Sequence, residues 1–319
     1  MSIIDGSERQ PRRVCVTEVG PRDGLQNEPV VLTTAEKLEL IHALVAAGVN
    51  AFEITSFVSP RAVPALADAG ELVAALRGLD GVHLSALVPN RRGAERALEA
   101  GIDAVVMFVS ASETHNAKNV NRSVDASLAG FEEVARLLEG SGVELRGAIA
   151  TSFGCPFEGD LEVAAVGRIA RRFADLGVRH VSLGDTTGMA TPPLVTERIR
   201  HLREVAPEVL PTLHFHNTRG IGLANVMQGL ALGVDRYESS IGGLGGCPFA
   251  PGASGNIASE DLVYLLDEMG IDSGIDLARM IEAARVATRL MGRDLPGQVS
   301  KAGARLTLSD CSAVPTARG

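Results

Sequence analysis

The sequence predicts an α/β fold, a closed (β/α)8 TIM barrel with an extra C-terminal helix, on three observations. Eight strand-length apolar segments alternate with longer segments of helical periodicity. Four helix ends carry the same join, Ala47-Gly48-Val49, Ala100-Gly101-Ile102, Leu176-Gly177-Val178 and Leu232-Gly233-Val234, each leading into an even-numbered strand. The first strand runs into Gly20-Pro21-Arg22-Asp23-Gly24 rather than a G-x-G-x-x-G turn, which removes the nucleotide fingerprint of the competing open, doubly wound sheet. A chain of 319 residues, 45% of them hydrophobic, suits one such domain. The expected organisation is a single catalytic barrel over residues 1–319, with 1–11 and 295–319 as irregular tails.

The strands are read at Val14–Val19, Ala51–Thr55, Val82–Val88, Ala104–Val109, Leu145–Thr151, His180–Leu183, Thr212–His216 and Arg236–Ile241. The first helix announces itself by Thr33 three residues before Glu36, a capping-box spacing. Leu38, Ile41 and Val45 then share one face, and Gly48 stops the helix. Pro64 fits a first helical turn, where a missing N–H costs nothing. Ile257–Met269 reads as the eighth helix and Leu277–Leu290 as the extra one.

A formal charge of −9, no Trp and only two Tyr argue against an extended nucleic-acid surface. No apolar run reaches membrane-spanning length and no basic-then-apolar leader opens the chain. A soluble, cytoplasmic protein is expected, with no nucleic-acid or membrane partner and homo-oligomerisation left open. The four cysteines, Cys15, Cys155, Cys247 and Cys311, lack zinc-type spacing and form no evident disulfide framework.

Chemistry concentrates where strands are expected to end. In Leu213-His214-Phe215-His216-Asn217, side chains alternate faces, so His214 and His216 share one and can grip a divalent cation. The ordinary alternative is two histidines satisfied by hydrogen bonds. Against it stand Arg22 and Asp23 after strand one, Glu53 near the end of strand two, Asp185 after strand six, and Cys247 with Asn256 after strand eight, all on the rim where barrel enzymes place their sites. Asp23, His214, His216 and Asn256 make a mixed oxygen and nitrogen set that suits Mg²⁺ or Mn²⁺. Asn256 alone could be a turn residue and Asp23 a cap. The glycine-rich segment Gly242–Gly255 reads as a lid. Cys247 within it has little to pack against and is a candidate general acid or base. Cys15 reads as core, and Cys155 stays open.

At these residues the chain resembles the 3-hydroxy-3-methylglutaryl-CoA lyase family of metal-dependent barrels. The resemblance runs from Val19-Gly20-Pro21-Arg22-Asp23-Gly24-Leu25-Gln26-Asn27-Glu28, through Thr55-Ser56-Phe57-Val58-Ser59-Pro60 and Ser182-Leu183-Gly184-Asp185-Thr186, to Gly243-Leu244-Gly245-Gly246-Cys247-Pro248 and Gly252-Ala253-Ser254-Gly255-Asn256. Condensing synthases of related barrels share Arg-Asp-Gly and His-x-His but lack the Gly-Gly-Cys-Pro loop. The resemblance implies a retro-Claisen cleavage of an acyl-CoA to acetyl-CoA and acetoacetate. It assigns Asp23, His214, His216 and Asn256 to the metal, Arg22 to the substrate carbonyl, Gln26 to substrate binding and Cys247 to catalysis. Glu53 and Asp185 become supporting or base residues. One departure follows the histidines, where the lyases read His-Asp-Thr-Tyr-Gly and this chain reads His216-Asn217-Thr218-Arg219-Gly220. Arg219 is therefore expected either to reach a ligand carboxylate or phosphate, with Asn217 and Arg219 tuning which 3-hydroxyacyl-CoA is taken, or to be a surface residue paired with a neighbouring helix.

Overall fold

In a computed structural model describing residues 10–246 and 255–307, eight parallel strands close in sequence order. They are β1 (Cys15–Glu18), β2 (Ala51–Ser56), β3 (His83–Val88), β4 (Ala104–Ser110), β5 (Glu144–Ala150), β6 (His180–Gly184), β7 (Leu210–His214) and β8 (Arg236–Ser239). The helices are α1 (Thr34–Ala46), α2 (Ala69–Leu76), α3 (Arg91–Ala100), α4 (Glu113–Val120), α5 (Val124–Leu138), α6 (Val163–Asp175), α7 (Pro192–Val205), α8 (Gly222–Ala231), α9 (Ser259–Glu268), α10 (Leu277–Met291) and α11 (Val299–Ala302). Each strand is followed by a helix and β4 by two. The expected extra helix is α10, which packs on α1 and α9.

Alternation along the strands sorts side chains into two interiors. Phe52, Ile54, Val105, Met107, Ile149, Val181, Leu183, Leu213 and Tyr237 point outward and are buried under the helices, forming the apolar core. Glu53, Ser85, Ser182, His214 and Glu238 point into the barrel, whose filling is polar. At its N-terminal end Glu144 binds His180 Nδ1 at 2.6 Å and Arg146 Nη2 at 2.6 Å, closing that mouth with ion pairs.

Helix ends follow the expected signals. Thr33 accepts from the N–H of Glu36 while the Glu36 carboxylate accepts from the N–H of Thr33, a complete capping box. The repeated glycine joins are Schellman ends. Gly48, Gly101, Gly177 and Gly233 all take positive φ, at 99°, 80°, 83° and 72°. The next residue's N–H reaches back in each case: Val49 to Leu44 O, Ile102 to Ala97 O, Val178 to Phe173 O and Val234 to Gly229 O.

Three expectations change. Strand seven ends at His214, two residues early, because the chain there turns from its barrel neighbours to pair with 255–257. The N–H of Ile257 donates to Phe215 O and that of Asn217 to Gly255 O. Strand eight likewise ends at Ser239, and Ile241–Gly243 forms a 3₁₀ turn. Residues from 295 are not an irregular tail throughout. Leu295 and Val299 are buried, the N–H of Gly297 donates to Gly242 O, and the Asp261 carboxylate caps α11 through the N–H groups of Gln298 and Val299. At the other end, Arg12 O accepts from the N–H of Asp272, which pins the chain from residue 12 onward. No helix among the described residues is long and apolar enough to cross a membrane.

Candidate functional site

The C-terminal mouth of the barrel holds a cavity of about 480 Å³. Its wall from β1, β2 and β6–β8 is polar, with Arg22, Asp23, Glu53, Ser182, His214, His216 and Glu238, while Leu87, Phe108 and Ala148 of β3–β5 and Val63 make the facing side apolar.

Arg22 and Asp23 come from a tight turn directly after β1. There the Val19 carbonyl collects the N–H groups of Arg22, Asp23 and Gly24, with Pro21 setting the entry. The Arg22 guanidinium binds Asp23 Oδ1 at 2.6 Å through Nη1 and grips Glu53 Oε1 through Nε and Nη2. Burial works against its charge, but Glu53 and Asp23 hold it firmly protonated. Burial would also raise the Asp23 carboxyl. The charges of Arg22, His214 and His216 and the Asn256 amide outweigh that and bring it to about 2, so Asp23 is an anion.

The histidines converge as alternation requires, although only His214 lies within β7. Their Nε2 atoms stand 3.2 Å apart, and lie 4.0 Å (His214) and 3.9 Å (His216) from Asp23 Oδ2. His214 Nδ1 meets Glu238 Oε2 at 2.9 Å. A carboxylate only accepts, so Nδ1 carries a proton and Nε2 is the ring nitrogen that faces the centre. Burial lowers His214, yet the Glu238 hydrogen bond and the Glu238 and Asp23 charges raise it on balance. Burial, then the charge of His214, pushes His216 down to about 4, so it is neutral at pH 7. Asn256 Nδ2 donates to Asp23 Oδ2 at 2.8 Å and to Leu244 O at 2.9 Å. Its buried Oδ1 has no partner among the described residues.

These residues fit a divalent cation. Asp23, His214 and His216 offer one oxygen and two nitrogens within 4.8 Å of one another, and the unpartnered Asn256 oxygen needs an electropositive neighbour.

The remaining expected residues divide. Glu53 lines the cavity, holds Arg22, and is pushed up by burial. Gln26 lines the cavity, and its neighbour Asn27 donates to Gly246 O at 3.3 Å, tethering the rim where the Cys247 segment begins. Cys247 itself, and most of the expected lid, lie outside the described residues. Asp185 does not line the cavity. Its Oδ1 accepts from the N–H groups of Met189 at 2.6 Å and Ala190 at 2.9 Å, which folds the loop after β6, and burial raises it to about 6. Arg219 is also absent from the lining, contrary to its expected contact with substrate. Its Nη1 donates to Thr187 O at 2.9 Å and Gly188 O at 2.7 Å, clamping that same loop. Asn217 Oδ1 accepts from the N–H of Gly222 and caps α8. Cys15 is half-buried rather than core, and the buried Cys155 donates to Ser112 Oγ at 3.0 Å; both are free thiols.

Sequence reasoning missed Glu238, which orients His214, and Ser182, whose hydroxyl donates to Glu238 Oε2 at 2.9 Å. The available signal was a carboxylate at an inward position of a buried strand, where an uncompensated charge would be prohibitive.

Comparison with known proteins gives concordant findings. The family model described as HMGL-like matches residues 13–287. The hydroxymethylglutaryl-CoA lyase of Bacillus subtilis is 43% identical over 288 residues, 90% of this chain and 96% of its own length. The human mitochondrial hydroxymethylglutaryl-CoA lyase is 38% identical over 296 residues, 93% of this chain and 91% of its own. A solved HMG-CoA lyase from Acinetobacter baumannii, in complex with coenzyme A and 3-methylmalate, superposes with a TM-score of 0.90 at 42% identity, covering 95% of this chain and 98% of that one. The carboxyl transferase domain of Rhizobium etli pyruvate carboxylase, at 17% identity and a TM-score of 0.69, shares the fold.

Proposed function

This chain belongs to the HMGL-like family, and from that premise we propose that it cleaves 3-hydroxy-3-methylglutaryl-CoA, or a closely related 3-hydroxyacyl-CoA, to acetyl-CoA and a 3-oxo acid, acetoacetate in the first case. The barrel with its C-terminal helices acts as one catalytic unit. The observation that carries this reading is the Asp23–His214–His216 constellation beside Arg22 at the head of a cavity. The relatives named above are lyases for this substrate, and one binds coenzyme A.

Cleavage requires the C3 hydroxyl to lose its proton while the C2–C3 bonding pair becomes a thioester enolate, which then takes a proton at C2. Asp23, His214, His216 and Asn256 would hold the divalent cation, Mg²⁺ or Mn²⁺. When bound it supplies Lewis-acid polarisation at the hydroxyl. Arg22 places a fixed positive charge for the developing enolate oxygen, and Glu53 locks the guanidinium so that little reorganisation is needed as charge moves. Glu238 keeps His214 in the tautomer that faces the centre. Cys247 delivers the proton to carbon, and Gln26 contacts the acyl-CoA at the rim.

The test is to incubate the Mn²⁺- or Mg²⁺-loaded protein with a panel of 3-hydroxyacyl-CoA esters and identify the acid released. Acetyl-CoA and acetoacetate from the methylglutaryl ester are expected, with activity lost on chelation and kcat lowered by about 10²-fold or more in Arg22→Met. Free CoA released from acetyl-CoA plus a 2-oxo acid, with no cleavage, would instead make the protein a condensing synthase.

A further inference from the structure

Glu18, the last residue of β1, is fully buried and does not line the cavity. Its Oε1 accepts two backbone N–H groups, from Gly20 at 2.8 Å and from Ile241 at 2.9 Å. Gly20 opens the turn that presents Arg22 and Asp23. Ile241 opens the turn that leads through Leu244 and Gly245 toward Cys247. A single oxygen thus ties the roots of two site-bearing loops that are more than two hundred residues apart in sequence.

The other oxygen is held in turn. Ser259 Oγ meets Oε2 at 2.6 Å and Ser239 Oγ at 2.8 Å, which fixes the carboxylate plane between β8 and α9. The next N–H of the same root, that of Gly242, goes to Glu260 Oε2 at 2.9 Å. The loops interlock above this anchor. A Cβ on Gly20 would fall 2.5 Å from Glu18 Oε1, and one on Gly24 would fall 2.8 Å from Ser240 Oγ and 3.0 Å from Leu244 Cβ. One on Gly245 would fall 2.5 Å from Asn256 Nδ2 and 3.0 Å from Asp23 O. Gly24 and Gly245 are therefore held to glycine by contact between the loops, and Gly20 by the Glu18 carboxyl at the base of that contact.

We propose that Glu18 is a positioning residue, setting the Arg22–Asp23 turn against the turn from Ile241 that leads to Cys247 and whose Leu244 carbonyl holds Asn256. Because Asp23 and Asn256 come from opposite sides of this joint, the geometry of the cation site depends on it. The activity arm of the test rests on the proposed lyase reading; the metal-binding arm does not.

The experiment compares wild type, Glu18→Ala and Glu18→Gln by Mn²⁺ titration calorimetry, by kcat on 3-hydroxy-3-methylglutaryl-CoA, and by Tm. Glu18→Ala should weaken Mn²⁺ binding at least about tenfold and lower kcat about 10²-fold. Glu18→Gln should bring both back to within about threefold, since its carbonyl can accept both N–H groups while its amide donates to Ser259. A folded Glu18→Ala with wild-type Mn²⁺ affinity and kcat, even at lowered Tm, overturns the proposal, as does a Glu18→Gln as impaired as the alanine variant. If Glu18→Ala does not fold, Glu18→Asp decides. Its shortened carboxylate cannot span both N–H groups, so the same losses are expected and wild-type values overturn the idea. Should the wild type bind Mn²⁺ but cleave no methylglutaryl ester, the lyase reading fails and the calorimetry still judges Glu18.

Discussion

His214 and His216 bring two ring nitrogens within 3.2 Å of each other beside the Asp23 carboxylate, and His216 Nδ1 has no partner among the described residues. That arrangement is costly in a buried site unless a cation sits between them, which is why the histidines read as ligands rather than as core. Glu238 makes His214 available by fixing its tautomer. Glu238→Gln keeps the shape and removes the anion, so Mn²⁺ affinity should fall by about 10–100-fold, read by calorimetry. An unchanged affinity would mean that the ring is oriented by other contacts. The four ligand candidates and Arg22 were legible because each is a polar residue in a short, recognisable motif. Glu238 and Glu18 were not, since a lone Glu inside a strand carries no local sign of which groups face it.

Elements were legible where their ends are written in backbone chemistry. The four glycine joins predict αL helix stops, and each adopts one, because only glycine takes positive φ without strain. Strand seven was read two residues too far along the chain because His216 pairs with Asn256 rather than with a barrel strand, and alternation cannot distinguish a barrel neighbour from residues 255–257. Arg219 shows the same limit. Its charge beside a site suggested a ligand contact, but the loop folded by Asp185 offers it two carbonyls first. Arg219→Ala should therefore cost about 0.5–1.5 kcal/mol in urea unfolding, because the side chain is exposed and solvent weakens its two hydrogen bonds. The order of preference among acyl-CoA esters and the Mn²⁺ affinity should stay as they are. A changed ester ranking at unchanged stability would return Arg219 to substrate selection.

The whole molecule buries several carboxyls that respond to pH, and Glu18 and Glu260 are two that lie away from the cavity. Burial pushes Glu18 from 4.5 to about 7, outweighing its bonds to Ser259, Ile241 and Gly20. Burial likewise pushes Glu260 from 4.5 to about 7. In the folded chain both hold protons that the unfolded chain has already released. Their contribution to stability is thus complete below pH 4.5 and is lost as pH rises through about 7. Unfolding in EDTA should show stability falling by on the order of a few kcal/mol for the two groups together between about pH 4.5 and pH 7, with Tm falling alongside. Glu260→Gln should flatten that slope. A Tm independent of pH in the wild type would show that neither group is protonated at neutrality.

The sequence by itself determined the barrel, the helix stops and the polar residues that gather at its C-terminal mouth. These depend on periodicity, on glycine's backbone freedom and on donor chemistry, all carried locally along the chain. Only the tertiary structure decided which polar residues face the site and which hold the scaffold. Glu238 faces the site and binds His214, while Arg219 and Asn217 bond to loop and helix backbone away from it. The physical reason is that a buried charge must find a partner, and in a closed barrel that partner comes from a strand or loop far away in sequence, so its identity is settled when the chain closes.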